Sequence, residues 1–193
     1  MAKIQSNDRF GFIEQHLQQF YIQLKPKKVS TENDGRKPGS YKWFEILDNT
    51  AYYPHFEKPE KIIWGLTADK WAFTIDRLQH YLPSNGYILT STVIPVSYIL
   101  GVLNSKLMHY YFHFIGIMTA GGAYTLKAST ISALPFKIAN DTTEISEQVE
   151  QILKEKENNH DADVSKEESE IDRLVYQLYG LTDEEIRIVE GKE

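Results

Sequence analysis

The sequence predicts an α+β fold, in which a mixed sheet of mostly short strands is flanked by helices and followed by a C-terminal helical pair. Three observations support this class. Apolar residues recur at three- and four-residue spacing in four separate stretches, as they do in amphipathic helices. Between the first two stretches lie short runs rich in β-branched and aromatic residues and bounded by Gly, Pro and Asn, which are typical of strands. The apolar content of 41% is sufficient for a packed core.

The first helix is predicted over residues 8–25, with Ser6 or Asn7 as its N-cap and Pro26 soon after its end. The polar stretch that follows, KKVSTENDGRKPGS, is rich in Gly and Pro and predicts a flexible loop. Three short strands are then predicted, and they cover residues 61–64, 71–75 and 87–93.

The second helix is predicted from Ser97 onward, and it should end near Gly116 or at the pair Gly121-Gly122, because glycine takes a positive φ at low cost. A third helix is predicted over residues 144–157. The fourth carries apolar residues from Ile171 to Tyr179. Three further residues predict how the tail is capped: Gly180 as the C-cap of the fourth helix, and Thr182 with Glu185 as the capping box of a last short one.

Composition excludes several classes of protein. The chain has no cysteine, so disulfides, thiolate metal sites and a cysteine nucleophile are excluded. Its longest apolar stretch, residues 98–117, is interrupted by Asn, Ser, Lys and His and does not predict a membrane span. The first ten residues lack the apolar core of a signal peptide. We therefore expect a cytoplasmic protein.

The net charge of −6 is unevenly distributed. Residues 1–140 hold 15 Lys and Arg against 10 Asp and Glu, whereas residues 141–193 hold 6 against 17. A mildly basic body is compatible with a phosphate backbone as its partner, and an acidic tail would be repelled by one. We predict two parts, a body over residues 1–140 and an acidic helical tail over residues 141–193 that packs on it or on another domain. The alternative is that this excess of basic residues is ordinary protein surface.

Catalytic chemistry is weakly indicated. His109 and His113 are four apart and would share one helix face, as metal ligands do, but no third ligand is evident. Gly121-Gly122 follows a helix and precedes a β-like run, which is the wrong order for a phosphate-binding loop. Asp76 and His80 are also four apart, without a placed serine. We therefore predict no catalytic residue and no metal site, and a metal-dependent enzyme remains a competing hypothesis that rests on the two histidines.

Residue types suited to nucleic acid are better represented. Lys and Arg contact phosphates or guanine, Ser and Thr donate to phosphate oxygens, and a glycine pair permits close approach of a backbone. The alternative is that the tryptophans are core residues and the lysines only solubilise the chain. We predict the DNA-binding residues to be Arg36, Lys37, Lys42, Lys70, Arg77, Tyr124, Lys127 and Ser129.

Four stretches, taken together and in order, resemble a known family. FIEQHLQQFYIQL, followed by a Gly-rich loop and YKWFEIL, resembles the entry segment of target-recognition domains. FEKPEKIIWGLTADKWAFTID resembles the stretch that opens their recognition sheet, and YILGVLNSKLMHYYF with GGAYTLKASTISALPF resembles the helix, glycine loop and exit that follow. EIDRLVYQLYGLTDEEIRIVEG resembles their closing helices. The family is the TaqI-like C-terminal specificity domain of type II and IIG restriction-modification enzymes.

The resemblance implies a non-catalytic recognition domain that docks in the major groove of double-stranded DNA. The parents of such domains are adenine-N6 DNA methyltransferases, often fused to a nuclease, and that catalytic part is the implied protein partner. This chain lacks an Asn-Pro-Pro-Tyr motif and a glycine-rich S-adenosylmethionine loop. The cofactor is therefore expected in the parent's catalytic domain and not here, and we expect the chain to be a C-terminal part of such an enzyme.

Two further expectations follow. The motifs KPEKIIW and LNSKL should build the fold, with recognition contacts in the loops between them. The competing class is a protein-interaction module, in which the aromatic helix and the acidic tail dock on a methyltransferase or nuclease subunit without direct DNA contact.

Overall fold

A computed structural model gives the fold, and it describes residues 11–45 and 53–192. The chain divides into two compact units, Met1–Pro54 and His55–Glu193. The described residues combine helices with small antiparallel sheets, which confirms the predicted α+β class. No helix among them is both long and apolar enough to cross a membrane. The predicted division at residue 140 stays a prediction.

The predicted first helix is divided in the first unit. Helix α1 spans Gly11–Gln18 and α2 spans Tyr21–Leu24, because the backbone turns at Phe20, whose N–H donates to Leu17 O at 2.9 Å. The Gln19 side chain also donates to a helix carbonyl, that of His16, at 2.8 Å. The proposed N-caps, Ser6 and Asn7, lie outside the described residues.

The larger sheet lies in the second unit, after the short helix α3 (Tyr53–Phe56). Its central strand is β1 (Lys61–Gly65), flanked by the antiparallel strands β3 (Thr74–Asp76) and β4 (Gly86–Leu89). The predicted strand at 71–75 therefore begins three residues later. Two hydrogen bonds explain the shift: Trp71 Nε1 donates to Leu103 O at 2.8 Å, and Phe73 N donates to Asn104 Oδ1 at 3.0 Å, so this segment bonds to a helix and not to β1.

The aromatic helix is interrupted at Ser105. Helix α4 spans Val96–Asn104 and α5 spans Lys106–Ile115, and α5 ends at Gly116 as predicted. Ser105 is extended, with ψ 152°, and is the N-cap of α5. The side chain of Asn104 donates to Phe73 O at 3.0 Å and accepts from Phe73 N. The LNSKL motif therefore builds the fold, because it breaks the helix and ties it to the strand segment.

The glycine pair lies at the tip of a β-hairpin. Strand β5 (Ile117–Met118) pairs with β6 (Tyr124–Thr125), and β6 pairs on its other side with β2 (Thr67–Ala68). The order of this second sheet is β2-β6-β5. The pair is therefore neither a helix terminator nor a phosphate loop.

The C-terminal helices pack into the same core as α4. They follow the short helix α6 (Ala128–Ile131) and comprise α7 (Thr143–Asn158), α8 (Ser165–Tyr179) and α9 (Asp183–Val189). Their apolar residues Ile145, Val149, Ile171 and Val175 are buried in the cluster that includes α4. Gly180 has the predicted left-handed conformation with φ 72°, and the Thr182–Glu185 capping box is present.

Candidate nucleic-acid interface

The small sheet presents two different faces. Residues directly opposite each other in an antiparallel pair point to the same side. Ala68, Tyr124 and Met118 form one row across the three strands, and Thr67, Thr125 and Ile117 form the next. In the first row, Ala68 and Tyr124 face the core, where the Tyr124 ring packs against core aromatics, whereas Met118 on the edge strand is exposed. Successive residues alternate between faces, so the second row, with two hydroxyl groups and one aliphatic side chain, lies on the outer face.

Tyr124 is held in place by aromatic residues of the core. Its hydroxyl oxygen lies 2.8 Å from His109 Nε2, and the His109 ring stacks on Trp71 with 5.5 Å between ring centroids. Burial lowers the pKa of His109, and the nearby His113 lowers it further. The neutral imidazole is therefore favoured. The Tyr124 side chain is held on the inner face of the sheet by this hydrogen bond and by the surrounding aromatic rings.

Two lysines lie beyond opposite ends of this sheet. Lys70 follows β2 at the end where the hairpin turns, and Lys127 follows β6 at the other end. Both are exposed, and within the described part of the chain neither ammonium group has an ion-pair or hydrogen-bond partner. Ser129 is exposed in the first turn of α6. The structure thus brings Lys70, Tyr124, Lys127 and Ser129 to one region.

The part of the chain that contains β5, β6 and α6 has few acidic residues. Between Asp76 and Asp141 the chain contains no Asp or Glu, and this interval includes β5, β6 and α6. The acidic residue next in sequence to β2 is Asp69, which lies between the strand and Lys70. A surface with free cations and few carboxylates attracts a polyanion.

Arg77 is occupied by acidic neighbours. Its guanidinium lies 2.7 Å from Glu60 and 2.5 Å from Glu150. The hydrogen bond to Glu150 is the main reason why the pKa of Arg77 is raised above its ordinary value. Because two carboxylates offset its charge, Arg77 offers little to a phosphate, and its role in DNA binding stays a prediction.

The three predicted cations of the first unit also differ in whether their charged groups are engaged with other protein groups. Arg36 organises its loop, since its Nε donates to Leu24 O at 2.6 Å and a terminal nitrogen donates to Trp43 O at 2.9 Å. Its guanidinium also lies over the Tyr41 ring. Lys37 and Lys42 are exposed. The two lysines remain available to a partner, whereas Arg36 is engaged with backbone carbonyls.

The Asp76–His80 pair belongs to the fold. Asp76 forms a buried ion pair with Lys61 of the KPEKIIW motif, and its other contacts include the N–H groups of Leu78 and His80, both at 2.9 Å. Lys61 also donates to Phe56 O at 2.9 Å. Burial alone would raise the pKa of Asp76, but the hydrogen bonds from Lys61 and the two N–H groups outweigh it and hold that pKa below its usual range.

His109 and His113 are close, with 4.9 Å between ring centroids. Across the described ranges, no cluster of three or more His, Asp or Glu side chains is arranged to hold a metal ion. His109 is instead bonded to Tyr124. His109 is therefore a partly buried histidine bonded to Tyr124, and His113 beside it is exposed.

The outer row of the sheet was missed by the sequence prediction. Thr67, Thr125 and Ile117 are not among the predicted DNA-binding residues, because a helix that ends at the glycine pair leaves no hairpin in the prediction. A signal was present: Ile117-Met118 and Tyr124-Thr125 are β-prone pairs on either side of a glycine-bearing spacer, a pattern typical of a hairpin.

Comparison with known proteins agrees with this architecture. The sequence model of one family, the TaqI-like C-terminal specificity domain, matches residues 12–136. The match covers part of the first unit, both small sheets, and helices α3 to α6. No curated protein gives a significant match to the chain.

Proposed function

The chain belongs to the TaqI-like C-terminal specificity domain family, and on that premise we propose that it grips a specific site in double-stranded DNA for a catalytic domain elsewhere in its enzyme. The family is a non-catalytic recognition part of restriction-modification enzymes. The proposed parent is an adenine-N6 methyltransferase, whose catalytic domain binds S-adenosylmethionine. Such a reaction requires the target base to leave the duplex, so the specificity domain holds the DNA while the base is flipped.

One observation carries the proposal. Two exposed lysines, Lys70 and Lys127, whose ammonium groups have no partner among the described residues, bracket a small sheet in a segment of the chain that is almost free of carboxylates. Lysines placed on both sides of a narrow structural element suit the two phosphate backbones that border a groove. Ser129, beside Lys127, offers a hydroxyl group to a phosphate oxygen. Lys37 and Lys42 of the first unit are proposed as further contacts.

The test is a fluorescence anisotropy titration of the full chain with a mixed-sequence duplex at two salt concentrations, about 50 mM and about 200 mM. Lys127→Ala should weaken binding and reduce the slope of log K against log salt by about 0.9, because one phosphate contact is lost. Lys166→Ala is the matched control, since Lys166 is exposed on α8 beside acidic residues, and it should leave both quantities unchanged. A wild-type chain that binds no duplex at the lower salt concentration would contradict the proposal.

The parent's chemistry has its own test. The coding sequence upstream of residue 1 should contain an Asn-Pro-Pro-Tyr motif within a methyltransferase domain. A nuclease or an unrelated domain in that place, with no such motif, would exclude the proposed adenine methylation and leave the DNA-binding proposal standing.

A second candidate function is docking on a protein subunit without DNA contact. It is favoured by the exposed aromatic side chains of α5, where Phe114 is 69% exposed and Tyr111 38% exposed. The duplex titration separates the two functions. A docking module would not bind duplex at either salt concentration, whereas a DNA-recognition domain binds it in a salt-dependent way.

A further inference from the structure

We propose that residues 117–125, hereafter the recognition hairpin, are the base-reading element of this domain and enter the major groove of the bound duplex. The inference rests on the proposed function and adds the part of the chain that determines specificity. The B-DNA major groove is about 12 Å wide and admits a two-stranded β-ribbon. The two strands of the recognition hairpin pair in this antiparallel way, and the second strand also pairs with β2, so the part that extends beyond the sheet is the tip, residues 119–123.

The tip of the hairpin is shaped for close approach. Thr119 N donates to Ala123 O at 2.8 Å and Gly122 N donates to Thr119 O at 2.9 Å, so the turn is closed by its own backbone. All four residues from Thr119 to Gly122 are exposed, and none is bulky. Gly122 has φ +81°, which favours glycine, and no atom would lie within 4 Å of a Cβ added there. The tip is therefore narrow and unobstructed.

The outer face of the hairpin carries groups that distinguish bases. Thr125 offers a hydroxyl group, which donates to or accepts from base edges, and Ile117 is 55% exposed and suits contact with a thymine methyl group. The Thr119 oxygen accepts from Ala123 N at 3.1 Å, which leaves the hydroxyl proton to donate outward. The three side chains are uncharged, and direct readout can use such groups because it relies on hydrogen bonds and apolar contacts with base edges.

The base of the hairpin is rigid. Tyr124 is bonded to His109 on the inner face, and Leu126 N donates to Leu66 O at 2.7 Å where the second strand leaves the sheet. Sites carried by strands and locked by neighbouring hydrogen bonds hold their geometry better than free loops do. Lys127 follows immediately and places one phosphate contact next to the base-reading surface.

The absence of carboxylates favours DNA over a basic protein surface as the occupant. The hairpin, α5 and α6 all lie in the interval between Asp76 and Asp141, which has no Asp or Glu. A phosphate backbone on either side of the ribbon would therefore meet no like charge from these three elements.

The test is selection from a duplex library with a randomised centre, using the full chain. Wild-type protein should enrich one motif. Thr125→Val and Ile117→Ser should each lower the preference for that motif over random duplex by about ten-fold or more at one or more positions, or change the preferred base. Their salt slopes should match the wild type, because no phosphate contact is removed. Thr119→Val is a second variant that alters the tip alone.

Thr74→Val is the matched control, since Thr74 is an exposed strand residue of the other sheet, and it should leave the motif intact. If the wild type binds no duplex, the proposed function fails. If it enriches a motif that every hairpin variant recovers with equal preference, or binds all duplexes alike, the hairpin inference fails while DNA binding stands. Hairpin variants that keep the motif but no longer bind the catalytic domain would show that the hairpin contacts protein, and this result would overturn the hairpin inference.

Discussion

His109 Nε2 lies 2.8 Å from the hydroxyl oxygen of Tyr124, and this contact joins α5 to β6, the strand that leads to Lys127. Burial, and then the neighbouring His113, lowers the pKa of His109. The neutral imidazole is therefore the favoured form between the Tyr124 hydroxyl group and the stacked Trp71 ring.

Stability should consequently fall in mild acid. Because the pKa of His109 is lower in the folded chain than in the unfolded chain, its contribution is complete above the unfolded pKa of about 6.5 and is lost as pH falls toward the folded value. Urea unfolding at pH about 7.5 and about 5.5 compares the two sides of the unfolded pKa and avoids most carboxylate titration. His109→Gln should flatten the pH dependence of the free energy of unfolding.

His160→Gln is the control for that measurement, because the His160 side chain is fully exposed. It should retain the wild-type pH dependence. An equal flattening in both variants would show that His109 is not the group responsible.

The buried ion pair between Lys61 and Asp76 predicts that a single substitution will lower the free energy of unfolding strongly. The side chains of Lys61 and Asp76 are 0% and 2% exposed. Asp76→Asn leaves the Lys61 ammonium buried without its counter-charge, and the expected loss of unfolding free energy is about 3–5 kcal/mol. Arg77→Gln, the next residue, removes an exposed pairing and should cost less than about 1 kcal/mol. Comparable losses from both, measured by urea unfolding, would argue against the buried pair as a determinant of stability.

Gly101 sets the distance between α4 and α7. A Cβ added at this position would lie 2.6 Å from the Cγ2 atom of Ile145 and 3.0 Å from that of Val149. Overpacking costs about 1–3 kcal/mol, and the higher helix propensity of alanine returns about 1 kcal/mol. Gly101→Ala should therefore destabilise the chain by up to about 2 kcal/mol in thermal or urea unfolding.

Gly121→Ala is the glycine control, because the nearest atom to an added Cβ is 4.0 Å away; it should change stability by less than about 0.5 kcal/mol. The double change Gly101→Ala with Ile145→Ala should cost less than the sum of the single changes, since the clash is removed with the isoleucine side chain. Strict additivity would show that the two residues do not compete for space.

Local patterns predicted the C-terminal helices and their caps well. The periodicity of α7 and α8, the left-handed Gly180 and the Thr182–Glu185 capping box all depend on residues within a few positions of each other. The breaks were less accessible, because they depend on distant partners. Ser105 interrupts one predicted helix while the neighbouring Asn104 bonds to Phe73, which is 31 positions away.

The candidate site shows the same limit. Lys127 and Arg77 are both cationic, and their neighbours in the sequence do not show which of them is paired with a carboxylate. Arg77 is offset by Glu150, 73 positions away, whereas Lys127 has no acidic residue on either side until Asp76 and Asp141. Whether a cation is free to bind a phosphate depends on its partners in the folded chain. Cations selected from the sequence therefore include some that are already paired with distant carboxylates.

The burial of Ile145 and Val149 against α4 has a practical consequence for exchanging such modules between enzymes. The family match stops at residue 136, yet the helices beyond it cover one side of α4. A graft cut at the family boundary would carry the proposed reading surface but leave an apolar side of its scaffold open to water. A recognition domain moved to another enzyme should therefore keep its acidic tail, because the tail helices cover the apolar side of α4 although they lie outside the family match.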